Sequence, residues 1–212
     1  VSVAENLLAN AKVGDLPWQF DYEDYYAIEK DWLPEDYYEW WGYEDSKLFS
    51  YAKKLLSDIS KNDEPFNFTM LTSNTHFTDG YMDQDCEEVF DKTYANSFYC
   101  SDSMIKNFID WIKEQDFYDN TTIIITGDHL TMQNDFYDND IFPRTIYNTI
   151  INSPIKPTNE KNREFSAFDM FPTTLAALGV EIKGNKLGLG VNLFSDIKTL
   201  VEEKGLKVFD KE

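Results

Sequence analysis

Hydrophobic positions along this chain follow two alternating rhythms. Leu48, Phe49, Ala52, Leu55, Leu56 and Ile59 recur three and four residues apart, which puts them on one face of a helix over residues 44–60. The polar run Lys61-Asn62-Asp63-Glu64-Pro65 ends that helix. An apolar strand is predicted over residues 66–72. A second long helix follows over residues 92–114, with Tyr94, Phe98, Ile105, Phe108, Ile109 and Ile112 on its core face. The run Thr121-Thr122-Ile123-Ile124-Ile125-Thr126 is apolar or β-branched throughout and predicts a strand covered on both faces by helices. Residues 144–151 read as a further strand, broken by Pro154-Ile155-Lys156-Pro157. Ser166-Ala167-Phe168-Asp169 has the form of a capping box, opening a helix that runs through Leu178 and stops at Gly179. Asp169 is therefore read as a cap rather than a ligand.

Strands that alternate with helices predict an α/β fold, a three-layer αβα sandwich. The chain has no internal repeat and no low-complexity linker, so residues 1–212 are expected to form one structural unit. Within it, residues 1–43 are an acidic, aromatic, irregular segment, residues 44–195 an α/β core and residues 196–212 a tail helix with a frayed end. The first segment interleaves carboxylates with rings, as in Phe20-Asp21-Tyr22-Glu23-Asp24-Tyr25-Tyr26. The rings can pack against the domain while the carboxylates stay wet, or they can form a platform for sugars.

Composition narrows the function. A net charge of −20 over 212 residues excludes nucleic acid as an expected partner, because such binding rests on basic surface that displaces counterions. The same charge repels a polyanion or anionic lipid at long range. A phosphodiester substrate therefore needs a bound cation to reverse the field locally. No apolar run approaches the roughly 18 to 20 residues of a membrane span. The chain starts at Val1 without an initiator Met, and it is expected to be a piece of a longer polypeptide with any membrane anchor outside it.

The candidate chemistry lies at strand ends. Gly127-Asp128-His129 follows the run ending at Thr126 and holds one of only two histidines, where open α/β sheets build their sites. A carboxylate and a neutral imidazole make a mixed O/N ligand set for a divalent metal such as Mn²⁺ or Zn²⁺. The other histidine, His76, also leaves a strand, in Ser73-Asn74-Thr75-His76-Phe77-Thr78-Asp79-Gly80.

These residues come in a characteristic order. Trp41-Gly42-Tyr43-Glu44-Asp45 opens a helix, and a strand then leads into Ser73-Asn74-Thr75-His76. A long helix precedes Phe117-Tyr118-Asp119-Asn120, the apolar strand and Gly127-Asp128-His129, with Phe168-Asp169-Met170-Phe171-Pro172-Thr173 downstream. The ordered set, over residues 38–195, resembles the carboxyl-terminal part of the sulfatase-like phosphoglycerol transferases of the alkaline phosphatase superfamily. This group includes lipoteichoic acid synthase and the enzyme that decorates periplasmic glucans with phosphoglycerol. The likeness to the glucan-modifying members runs through Thr75-His76-Phe77-Thr78-Asp79-Gly80, both cysteines, Asp128-His129-Leu130-Thr131-Met132-Gln133-Asn134 and Leu187-Gly188-Leu189-Gly190.

The resemblance implies an alkaline-phosphatase-like fold that is incomplete at its amino-terminal side. It implies that Asp128 and His129 are metal ligands, with Mn²⁺ foremost and Mg²⁺ or Zn²⁺ as alternatives. His76 would contact the substrate phosphate or act as an acid or base. A Thr would attack phosphorus in a phosphatidylglycerol-type lipid and pass glycerol phosphate to a cell-surface glycan or teichoic-acid-like acceptor, on the extracytoplasmic face of a bacterial membrane. Nothing in residues 1–40 resembles the family's nucleophile, which is expected outside this chain. Thr75 and Thr126 are read as strand-end threonines. Cys86 and Cys100 match a cysteine pair of the glucan-modifying relatives, which implies a disulfide; in a cytosolic protein both would be free thiols.

Other readings stay open on the residues alone. Both histidines can be ordinary loop residues. A sulfatase shares the fold and the Asp-His pattern, although neither cysteine has the Cys-x-Pro-x-Arg context of a formylglycine precursor. A phosphoethanolamine transferase would differ in donor head group. A non-catalytic module could bind glycan through the aromatic amino-terminal segment.

Overall fold

The computed structural model describes residues 6–8, 32–34, 37, 39–40, 43–62, 64–133, 135–137 and 144–209. The aromatic run 20–26, Trp41, Gly42 and Asn134 lie outside the described residues. The chain clusters into two compact units, one built from residues up to 115 with 131–143, the other from 116–130 with 144 onward.

The first unit holds β1 (Asn6–Leu8), α1 (Asp45–Ile59), β2 (Thr69–Leu71) and α2 (Thr93–Lys113). Both helices start and stop within a residue or two of the positions their apolar periodicity predicts. Helix α1 buries Leu48, Phe49, Tyr51, Ala52, Leu55 and Leu56, and α2 buries Tyr94, Cys100, Phe108 and Ile112. Phe49 and Phe108 meet across the two helices at 5.1 Å between ring centroids. Each buried Leu, Ile or Phe among them contributes about 1.5 to 3 kcal/mol through removal from water. Strand β1 corrects the expectation of a wholly irregular segment 1–43. It pairs in parallel with β2, Leu7 opposite Met70, and this three-residue strand is defined by its partner rather than by any pattern of its own. Cys86 and Cys100 are joined by a disulfide with Cα atoms 5.6 Å apart, which ties the segment after the His76 loop to α2.

The second unit holds β3 (Ile123–Thr126), β4 (Asn148–Ile151), α3 (Ala167–Ala177), the hairpin β5 (Lys186–Leu187) and β6 (Gly190–Val191), and the short helices α4 (Leu200–Lys204) and α5 (Leu206–Phe209). Strand β3 pairs antiparallel with β4, Ile124 opposite Ile150. Ile123, Ile124 and Ile125 are half-buried and Thr126 is exposed, so among the described residues this strand is not covered on both faces as expected. Together with the β1–β2 and β5–β6 pairs, it gives three two-stranded sheets among the described residues.

The amino terminus of α3 is set by Asp169. Its carboxylate accepts from the Ser166 N–H at 2.9 Å and, through the other oxygen, from the Val191 N–H at 2.8 Å. It is thus a cap that also pins β6. Gly190 can lie against α3 because a Cβ there would run into the Phe168 carbonyl.

Arg163 fastens the tail. Its guanidinium grips Glu202 in a bidentate pair at 2.7 and 2.9 Å and donates to the carbonyls of Leu193, Ser195 and Ile197.

Candidate active site

The loop that carries His76 is held by buried polar groups. Asp45, the first residue of α1, is fully buried. Its carboxylate accepts from the Ser73 N–H at 2.8 Å and the Asn74 N–H at 3.3 Å. Its own N–H donates to Asn74 Oδ1 at 3.1 Å. The Asn74 amide donates onward to Asp83 at 2.8 Å, and Asp83 also accepts from the Ser46 hydroxyl. Burial pushes the Asp45 carboxyl up to about 6, outweighing the backbone donors, and the neighbouring Asp83 carboxylate adds to the rise. Burial also raises Asp83.

On this base the chain turns tightly. The His76 N–H donates to the Ser73 carbonyl at 2.8 Å, and the Tyr81 N–H to the Asn74 carbonyl at 2.7 Å. Gly80, at φ +66°, closes the turn where a Cβ would collide with Ser97 Oγ of α2. The His76 Nδ1 lies 2.6 Å from the Phe77 carbonyl oxygen. A carbonyl only accepts, so Nδ1–H is the donor in this contact.

Asp128 and His129 stand at the exit of β3 in the second unit. Gly127 keeps the ladder going for one more step, its N–H donating to the Tyr147 carbonyl at 2.9 Å. Asp128 Oδ1 accepts from the His129 N–H at 2.9 Å, which folds the carboxylate back over the next residue. The His129 Nδ1 lies 2.7 Å from the Leu130 carbonyl oxygen, so its proton is also on Nδ1 and the lone pair of the neutral ring is on Nε2. That atom lies 3.4 Å from Asp128 Oδ2, with the side chains 54% and 62% exposed. A carboxylate oxygen and an imidazole nitrogen this close together could serve one divalent cation between them. The backbone carbonyl on Nδ1 is the outer partner that metal-bound histidines commonly have. The donor set therefore fits a divalent cation. Among the described residues no group of three or more His, Cys, Asp or Glu converges on one point.

The structure brings Asp128 and His129 together and places His76 in the other unit on its own buried support. Thr126 Oγ1 bonds the adjacent Gly127 carbonyl at 3.2 Å, as suits a strand-end threonine.

The profile of the sulfatase family matches residues 6–180, a span that includes β1, His76, Asp128 and His129. The chain belongs to the sulfatase family. This membership implies an alkaline-phosphatase-like α/β fold. Phosphoglycerol transferase I of Escherichia fergusonii and that of Citrobacter koseri are each 33% identical to the chain over 100 residues, and the Escherichia coli protein of the same name is 32% identical. Each alignment takes in 44% of this chain and only 13% of the relative. The chain thus aligns with a small part of the curated relatives' length.

Sequence reasoning gave Asp45, Asn74, Asp79, Asp83 and Gln133 no role, although all but Asp83 fall within the quoted motifs. A signal was present for Asp45: a carboxylate directly before the apolar face of a helix marks a helix amino terminus. Its partners lie 28 and 29 residues away and are visible only in three dimensions.

Proposed function

We propose that this chain supplies the metal-binding part of a phosphoglycerol transferase whose nucleophile lies outside residues 1–212, within a three-layer αβα catalytic domain. The observation that carries this is the Asp128–His129 pair, with Nδ1 committed to a carbonyl and Nε2 beside Oδ2 at 3.4 Å, in a chain of the sulfatase family. Asp128 and His129 would hold a divalent cation, Mn²⁺ foremost, with Mg²⁺ or Zn²⁺ as alternatives. When bound, such a cation neutralises charge on phosphoryl oxygens and favours the ionised form of a nearby hydroxyl. In a molecule of net charge −20, it would also offset the repulsion of an anionic donor.

His76 supports the reaction at the phosphate. Because Nδ1–H is held by the Phe77 carbonyl, the cationic ring donates from Nε2 to a phosphate oxygen or to the departing alkoxide, and the neutral ring recovers a proton at the same atom. A Thr hydroxyl attacks phosphorus of a phosphatidylglycerol-type lipid, the bond to diacylglycerol breaks, and the leaving oxygen takes a proton. The hydroxyl of a cell-surface glycan or teichoic-acid-like polymer then displaces the Thr and carries away glycerol phosphate. The site would work at the extracytoplasmic face of the membrane, brought there by segments outside this chain. No helix among the described residues is long and apolar enough to cross a membrane.

The test uses the complete parent polypeptide with phosphatidylglycerol and Mn²⁺, digested and searched by mass spectrometry. A glycerol-phosphate adduct on a Ser or Thr upstream of Val1, with diacylglycerol released and both lost in His129→Ala, is the expected result. A formylglycine in place of the adduct would make the parent a sulfatase. An unmodified polypeptide with no diacylglycerol released would overturn the proposal, as would saturating Mn²⁺-dependent diesterase activity in residues 1–212 alone.

A further inference from the structure

The motifs around the two histidines contain polar residues to which the proposed chemistry gives no part: Thr75, Asp79, Thr131 and Gln133. The structure joins them. The Gln133 side chain is buried and spends both ends of its amide on one residue. Its oxygen accepts from the Asp79 N–H at 2.7 Å, and its nitrogen donates to Asp79 Oδ1 at 2.5 Å. The Gln133 N–H donates to Thr131 Oγ1 at 3.2 Å. The Thr131 hydroxyl meets the Tyr94 hydroxyl at 2.6 Å, and the Tyr94 hydroxyl donates to the Thr75 carbonyl at 3.0 Å. Tyr94 has a single hydroxyl proton, and it is used on the carbonyl. The proton between the two hydroxyls therefore comes from Thr131, whose oxygen in turn accepts from Gln133. One consistent direction of donation runs through the whole set.

The two ends of this clasp fall on either side of His76. Thr75 is fastened on one side, and Asp79, at φ +60°, is fastened three residues after the imidazole. A non-glycine residue in the left-handed region is held there at a cost, and the paired bonds from Gln133 offset it. We infer that Gln133, Thr131 and Tyr94 are positioning residues that fix the orientation of the His76 imidazole by clasping the loop on both sides of it. The inference rests on the proposed role of His76 at the phosphate, and its test separates the two.

With only two histidines in the sequence, the imidazole NMR spectrum of the chain contains two sets of signals, assigned by their loss in His76→Ala. In Gln133→Glu the introduced carboxylate faces the Asp79 carboxylate with no donor between them, so the side-chain bond is lost. Asp79→Asn alone keeps its oxygen as the acceptor for Gln133. Combining Asp79→Asn with Gln133→Glu restores both bonds, with the side-chain donor and acceptor exchanged.

The expected result is a His76 signal that shifts or splits in Gln133→Glu, stays in place in Asp79→Asn and returns in the double variant. The double variant is the control against simple misfolding. A His76 signal unmoved by Gln133→Glu, or one still displaced in the double variant, would overturn the inference. In the complete parent acting on phosphatidylglycerol, kcat should fall about 100-fold in Gln133→Glu, the scale of a misplacement near 1 Å, and recover in the double variant. Should the parent show no turnover at all, the proposed function falls while the NMR pattern still decides the clasp.

Discussion

The Asp45 N–H donates to the side-chain oxygen of Asn74 at 3.1 Å, while the Asp45 carboxylate accepts from the Asn74 N–H at 3.3 Å. The first residue of α1 and the loop of His76 therefore hold each other reciprocally. Asn74→Ala removes the acceptor for a buried N–H and the amide donor that serves Asp83. Each unsatisfied buried group costs about 1 to 3 kcal/mol. Urea denaturation should show a loss of about 2 to 4 kcal/mol, with Ser46→Ala, at the more exposed edge of the same network, losing less.

Stability should depend on pH through Asp45. Its folded pKa, about 6, lies above its ordinary value of 3.8, so between these two values the folded state binds more protons than the unfolded chain. Stability from this group is fullest below about pH 4, falls as pH rises through about 6 and levels off above. A rise of this size corresponds to about 3 kcal/mol, and the raised Asp83 adds in the same direction. Urea midpoints measured from pH 4.5 to 8 should fall over this window, and the slope should flatten in Asp45→Asn. An unchanged slope in that variant would assign the dependence to other groups.

Gly80 admits no side chain. At φ +66° a Cβ would collide with Ser97 Oγ and lie 2.7 Å from the Asn74 carbonyl oxygen. Gly80→Ala should cost about 2 to 4 kcal/mol from overpacking and left-handed strain together. Adding Ser97→Ala should recover only part of this in thermal denaturation, because the backbone oxygen remains.

The Cys86–Cys100 bond joins residues with a sequence separation of 14. In the chain-entropy treatment a loop of this size contributes about 3 kcal/mol. Thermal melts with and without a phosphine reductant should differ by that amount. Cys86→Ser with Cys100→Ser should melt like the reduced protein.

Mn²⁺ should mark its own ligands. Paramagnetic broadening on Mn²⁺ titration is expected at the His129 imidazole, whose side chain is 54% exposed and lies beside Asp128. Asp128→Asn should weaken the effect about tenfold or more, since loss of even an outer partner of a metal ligand costs that much. Broadening that survives Asp128→Asn unchanged would remove the pair as the metal site.

The helices were legible because their signal is local. Leu48, Phe49, Ala52, Leu55 and Leu56 already describe a face before any tertiary contact exists, and α1 follows them. Strand β1 was not legible at all and β2 only at a greater length, because three residues carry no period of their own and are defined by the pairing of Leu7 with Met70. The same divide runs through the candidate site. Asp128 and His129 are adjacent and stand at a strand end, so they could be named as candidates from sequence, with their ligand role resting on the family resemblance. Asp79 and Gln133 are 54 residues apart and ordinary in composition, and only folding reveals that each satisfies the other.

Arg163 bears on where this polypeptide can be cut. The family profile stops at residue 180, which invites truncation there. Yet the Arg163 guanidinium finds its carboxylate on Glu202 and its carbonyl partners between residues 193 and 197. A chain trimmed to the family boundary would leave this cation without its carboxylate and its three carbonyl partners. A carboxyl-terminal boundary that keeps these contacts therefore lies beyond Glu202, within or after α4.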